Sequence, residues 1–182
     1  SLGVQLEDDG SDLYGGAVLM WSGLTWQPRE DLNMTFGVAH TDLDGWLLHQ
    51  EGQDFTTFKV TRWQPDLAVD FYPTAKQQLR VVLQWVGIEA LEDRFYTLQA
   101  DPGRLIEGAK PVGPSDDFSI STLNFQVRYR WQIAPLSDLF VVYTKGDSRR
   151  ITRDTFSDIF QDSWQDPLAD QFVIKLRYRL GS

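Results

Sequence analysis

The chain contains no cysteine. That excludes disulfide frameworks, thiolate metal sites and cysteine nucleophiles together. It also lacks any long hydrophobic run, the longest purely apolar stretches being the five residues 17–21 and the five residues 139–143. A spanning helix needs roughly 20 apolar residues, so none is encoded, and a closed barrel is the other structure that can cross lipid. Positive charge is scarce: 17 Lys and Arg stand against 26 Asp and Glu, for a net charge of −9. Nucleic acid as a partner is disfavoured, because phosphate backbones are bound by basic stripes, and so is a polybasic membrane-surface anchor. Helical periodicity is nearly absent.

Aromatics are plentiful, at 13% of residues with seven Trp, and the hydrophobic content is 42%. Such a chain folds rather than staying disordered, and 182 residues fit one domain. Apolar and polar residues alternate with period two, the mark of strands with two unlike faces. Leu123, Phe125, Val127, Tyr129 and Trp131 alternate with Asn124, Gln126, Arg128 and Arg130. Phe172, Ile174, Leu176, Tyr178 and Leu180 alternate with Val173, Lys175, Arg177 and Arg179. Leu79, Val81, Leu83 and Trp85 repeat the pattern, and Met34, Phe36 and Val38 do so more weakly.

The pattern predicts eight strands, over 1–7, 15–27, 32–41, 54–72, 75–88, 118–131, 137–146 and 170–180. Pro65 predicts a bend or bulge in the fourth. Apolar residues on both sides of 139–144 leave the seventh strand's register open. Three connections are short and contain proline (28–31, 73–75 and 133–137), while 8–14, 42–53, 90–117 and 146–169 are longer and rich in Asp and Glu. Short and long connections alternate, as the periplasmic turns and external loops of outer-membrane barrels do.

Trp26, Phe71, Tyr72, Trp131 and Tyr178 fall near the short-turn ends, and Trp21, Trp85, Phe118 and Phe172 nearer the long-loop ends. Two aromatic belts flanking an apolar band are what a bilayer interface selects. The first strand offers seven residues where spanning takes about 9–11. The expectation is therefore a single β-barrel domain over 1–182 that is the C-terminal fragment of a longer chain.

The stretch 124–146, NFQVRYRWQIAPLSDLFVVYTKG, and the ending VIKLRYRL resemble the C-terminal region of a bacterial family of unknown function. Its members carry an N-terminal domain similar to family 9 carbohydrate-binding modules, followed by a predicted outer-membrane barrel. The RYRW run at 128–131, the short turn at 134–137 and the returning DLFVVY strand at 138–143 match its pattern. The likeness is close over about the last 65 residues and is one of pattern before them. It implies an outer-membrane barrel, tied to carbohydrate through a domain that this sequence does not include. Its motifs specify a hairpin and carry no catalytic residue.

Candidate chemistry is sparse. Arg80, Arg128, Arg130, Lys175, Arg177 and Arg179 share the polar strand faces and in a barrel would face the lumen, where guanidinium groups favour anions or pair with carboxylates. His40, with Asp42 and Asp44 close in sequence, is the one point where a hydrolase rim site would be sought, but no G-x-S-x-G accompanies it. Asp42, Asp44 and Gly45, and the acidic knot of Asp8, Asp9 and Asp12, lack the full spacing of a calcium loop, so no metal or cofactor is expected. Asn33-Met34-Thr35 matches a glycosylation sequon that falls within a strand. Trp46 and Trp164, both in long connections, are the candidates for stacking on sugar.

The leading expectation is an all-β, antiparallel up-and-down meander of about eight strands. It is read as an outer-membrane-type β-barrel or the C-terminal part of a larger one. The role expected is non-enzymatic: scaffold, anchor or conduit in the bacterial outer membrane. Membrane lipid is the partner, carbohydrate a second, and nucleic acid none. Two alternatives stand beside it. One is a soluble β-sandwich or lipocalin-like barrel binding a carbohydrate or apolar ligand. The other is an outer-membrane hydrolase with a rim site.

Overall fold

The structure, a computed structural model, describes residues 1–7, 15–99, 103–152 and 154–179. It is all-β, with nine antiparallel strands in one meander sheet and one short helix. The strands are β1 (Leu2–Glu7), β2 (Gly16–Arg29), β3 (Leu32–His49), β4 (Asp54–Thr74), β5 (Gln77–Leu98), β6 (Leu105–Gly108), β7 (Phe118–Ala134), β8 (Ser137–Thr152) and β9 (Ala169–Arg177). Helix α1 (Phe156–Gln165) lies between β8 and β9. Spatial order follows chain order, except that short β6 pairs with the far end of β5, beyond the point where β7 stops. The sheet is not closed, and β1 and β9 are its edges.

Three two-residue turns, Glu30-Asp31, Ala75-Lys76 and Pro135-Leu136, lie along one rim. The longer connections lie along the other, so the expected alternation of short and long holds. Three strands outrun their expected ends by six residues or more. β3 continues to His49 rather than 41, β5 to Leu98 rather than 88, and β8 to Thr152 rather than 146. Acidic residues in these stretches suggest loops, yet two of them find side-chain partners on the neighbouring strand. Asp42 lies opposite Thr61 and accepts its hydroxyl at 3.0 Å, and Asp93 pairs with Lys59 at 2.9 Å.

The Asp42, Asp44, Gly45 fragment is a β-bulge, with Gly45 at φ 83° and the register slipping between Leu43 and Trp46. A bulge inserts one residue and so reverses which face the later residues meet. Pro65 produces no such slip. β4 keeps register with β5 from Trp63 to Asp66, and its irregularities fall at Thr57/Phe58 and Phe71/Thr74. In β8, Leu139, Val141 and Tyr143 share one face, aligned with Leu176, Ile174 and Phe172 of β9.

Helix α1 and β6 replace what the sequence suggests are plain loops. Thr155 caps α1: its hydroxyl accepts the Asp158 amide at 3.3 Å and donates to the Asp158 carboxylate at 2.5 Å. Lys145 donates to the Trp164 carbonyl at 2.9 Å, and Arg149 to that of Asp166, placing cations at the negative end of the helix. Ile159 and Ser163 are buried against the sheet.

Buried apolar residues form two small clusters, both toward the long-connection rim. Phe58, Val60, Ala90 and Phe118 make one, joined by Leu43, Trp46, Leu48, Ile88 and Ile120. Trp85, Leu123 and Ile159 make the other, with Phe156 and Phe160 of α1. Cross-strand register puts the first on the polar face of the sheet and the second on the apolar face.

Candidate functional site

The register makes the apolar face continuous from edge to edge. Val4 lies opposite Met20, Leu24 opposite Phe36, Phe36 opposite Leu67 and Leu67 opposite Leu83. Leu83 then meets Phe125, Val127 meets Tyr143 and Tyr143 meets Phe172. Away from α1 none of these side chains is buried. Leu24 is 65% exposed, Phe36 48% and Ile174 62%. Large apolar groups left this open over a whole sheet require a partner.

The short-turn end of this face carries Trp26, Phe71, Tyr129 and Trp131, with Tyr178 just beyond β9. Tyr72, expected among them, turns to the other face, where its hydroxyl accepts from Gln78 at 3.1 Å. The expected upper belt divides. Phe172 lies on the apolar face, Trp85 lies beneath α1, its ring centroid 5.3 Å from that of Phe160, and Trp21 and Phe118 face the opposite side. Trp63, which pairs with His40 on the apolar face, stands at the level where the belt was sought.

The polar face gathers most of the expected basic residues. Arg80 of β5 is directly opposite Arg128 of β7, and Arg130 is opposite Gln78. Together with Phe140 they line a hollow of about 330 Å³. Lys175 and Arg177 of β9 lie on the same face, opposite Phe140 and Asp138. Arg179 is just past β9, where its backbone N–H donates to the Ser137 hydroxyl at 3.1 Å. Compensation is partial. Arg130 donates to Asp138 at 3.0 Å, Arg80 lies 3.9 Å from Asp70, and Arg128 donates to the neutral Gln126 amide at 3.0 Å.

The same face carries a second recess at its other end, a cleft of about 400 Å³ between the β4–β5 tip and the loop after β6. Asp54, Glu92, Phe95 and Thr97 line it. The Glu92 carboxylate is 7% exposed. It accepts the Asp116 amide at 2.7 Å and the Ser115 hydroxyl at 3.1 Å, and pairs with Lys110. Burial pushes the Glu92 pKa up, but Lys110, the Asp116 amide and Ser115 together outweigh it and hold the acid below its usual range.

His40 and Asp42 do meet, at 2.9 Å between Nε2 and Oδ2. The hydroxyl that joins them is Thr61, and it donates to Asp42 rather than to His40. The other ring nitrogen, Nδ1, is buried without a partner among the described residues, and the ring packs on Trp63 at 4.3 Å. Among the described residues no serine hydroxyl is hydrogen-bonded to His40, as a Ser-His-Asp relay requires. Asp8, Asp9 and Asp12 lie outside the described residues, and no cluster of metal-ligating side chains forms among those described.

Trp46 and Trp164 are not loop residues. Trp46 is in β3, packed on Phe118 at 5.9 Å on the polar side. Trp164 is in α1 over the apolar side, 5.1 Å from Phe125 and under the Lys145 ammonium. The sheet separates the two, so they form no shared platform.

The family model for Domain of unknown function (DUF5916) matches residues 32–181. The chain belongs to this family. The DUF5916 match begins at the first residue of β3 and takes in every later strand, α1 and the whole basic hollow. No curated protein and no solved structure matches the chain.

Two features of this DUF5916 chain are missed by the sequence reading. One is the Glu92 cleft, whose parts are joined only through β6 and the loop after it. The other is the buried polar chain under α1, in which Trp85 Nε1 donates to Ser121 at 2.8 Å and Ser121 shares a 2.6 Å hydrogen bond with Ser163. A signal for α1 exists: Phe156, Ile159, Phe160 and Ser163 recur at helical spacing behind the Thr155 cap.

Proposed function

We propose that this chain forms wall of an outer-membrane β-barrel, with lipid on its apolar face and the lumen on its polar face. The observation that carries the reading is the apolar face, continuous across eight strands, six of them long, and uncovered away from α1. Apart from β1, β6 and β9, the strands run from 14 to 22 residues. Strands of globular proteins usually have about 3–10, and a bilayer takes about 9–11 tilted residues. Phe71 and Trp63 are eight residues apart on β4, about 26 Å at roughly 3.3 Å per residue. That span suits the apolar band of about 25 Å seen in such barrels.

The wall is incomplete in one respect. Unpaired backbone in hydrocarbon costs several kcal/mol per group, and β1 and β9 each leave one side open. The reading therefore requires further strands to close the sheet. The role is a scaffold, anchor or conduit in the bacterial outer membrane, with lipid as the partner. Carbohydrate handling would belong to a module of the kind the resemblance implies, and no residue of this sheet is assigned to it.

Detergent dependence tests the proposal. The protein is refolded with and without nonionic micelles and followed by circular dichroism and by gel mobility before and after heating. β-structure that needs micelles, with heat-modifiable mobility, is expected. A compact monomer folded in plain buffer would overturn the reading, because the apolar face would then be covered from within.

A further inference from the structure

We propose that the hollow bounded by Arg80, Arg128 and Arg130 on the polar face binds a phosphate-type oxyanion. The argument begins with a cost. Like charges directly opposite on neighbouring strands are destabilising, and Arg80 and Arg128 stand so placed. The next row adds Arg130, and beyond Phe140 it adds Lys175. Within the patch the carboxylates are Asp70 and Asp138, each engaged by one of these arginines. Arg128 has a neutral partner, Gln126, and no ion pair among the described residues. Five cations, with Arg177, thus converge on two acids in a chain whose net charge is −9.

The chemistry of the lining decides the ligand class. Guanidinium groups present flat forks of N–H donors that match two oxygens at once. Three of them around a hollow of about 330 Å³ suit a compact anion with several acceptor oxygens. Gln78 adds an amide beside Arg130, while also donating to the Tyr72 hydroxyl at 3.1 Å. Phe140 floors one side, with the Arg130 guanidinium 5.9 Å from its ring centroid, and supplies no competing acceptor. A bound phosphate replaces the repulsion between Arg80 and Arg128 with charge-assisted hydrogen bonds to both. The inference does not rest on the membrane reading, since the cluster is on the polar face whatever solvent meets the other one.

The test uses inorganic phosphate and the protein in whichever medium it folds, micelles or plain buffer, so the fate of the membrane reading does not affect it. Thermal midpoints are recorded against phosphate at constant ionic strength set with sodium chloride. A saturable rise is expected, weakened at least tenfold in apparent affinity by Arg128→Gln and unchanged by Lys59→Gln at the far end of β4. Without phosphate and at low salt, Arg128→Gln is expected to melt above the parent, because it removes the like-charge pair. A parallel titration with short-chain phosphatidic acid identifies the source: equal affinity indicates recognition of the phosphate alone, and tighter binding a lipid headgroup. Phosphate stabilising no better than chloride, or Arg128→Gln retaining parental affinity, would overturn the site.

Discussion

Ser121 of β7 and Ser163 of α1 share a 2.6 Å hydrogen bond, and both side chains are fully buried. Ser121 also accepts the indole N–H of Trp85 at 2.8 Å, so the two bonds tie helix to strand to strand. An unmade buried hydrogen bond costs about 1–3 kcal/mol, while a satisfied one contributes about 1. Ser121→Ala strands the Trp85 N–H and should destabilise by about 2 kcal/mol. Ser163→Ala leaves that bond intact but removes the partner of the buried Ser121 hydroxyl and a donor to the buried Asp147 carboxylate, and should also cost about 2 kcal/mol. Denaturation midpoints of the two variants check both losses, and a variant as stable as the parent would take its serine out of the network.

Leu67 and Ala68 are neighbours that point to opposite faces of β4, opposite Phe36 and Thr35 of β3 respectively, and Leu67 lies midway between Trp63 and Phe71. An arginine on a lipid-facing position near the bilayer centre costs about 2–4 kcal/mol. Leu67→Arg should therefore impair folding in micelles or bilayers, while Ala68→Arg should fold nearly as well as the parent. Heat-modified gel mobility after refolding reads the difference, and equal behaviour would mean that lipid does not distinguish the faces.

Glu92 ties the loop after β6 to β5. Its pKa is held below that of a free glutamate despite burial, so its contribution is present above the unfolded-state pKa and is lost as pH falls through the lower folded value. The loop at 109–116 should hold at neutral pH and loosen only below the ordinary glutamate range. Amide exchange in this loop as a function of pH checks the window, and Glu92→Gln should open it at neutral pH with β5 and β7 still protected.

Leu136 has φ 60° in the β7–β8 turn and is 57% exposed. A side chain costs about 1 kcal/mol or more in the left-handed region, where glycine is at ease. Leu136→Gly should stabilise the hairpin by about 1 kcal/mol, since little burial is lost with the side chain. A raised denaturation midpoint is the expected result, and a lowered one would show that the side chain makes a contact worth more than the strain.

Much of the fold is legible in the sequence because strand alternation is a local code. Successive side chains face opposite ways, so the runs around Val127 and Ile174 declare both the strands and their two faces. The three tight turns are equally local, each marked by proline. Legibility falls where a polar residue has a cross-strand partner. Asp42 and Asp93 suggest loops until Thr61 and Lys59 are set beside them. The basic site was half legible: alternation puts Arg128 and Arg130 on one face, but the opposition of Arg80 and Arg128 depends on the β5–β7 register.

The all-β meander, the unlike faces and the rhythm of short and long connections are written in local signals along the chain. Each follows from steric alternation and turn chemistry within a few residues. Packing between distant segments settles that the Asp42-to-Gly45 fragment is a bulge, that Trp46 and Trp164 lie on opposite sides of the sheet, that α1 covers Trp85, and that the edges at β1 and β9 stay open. Those outcomes depend on register between strands far apart in the chain. A slip of one residue in that register moves every side chain of a strand to the other face.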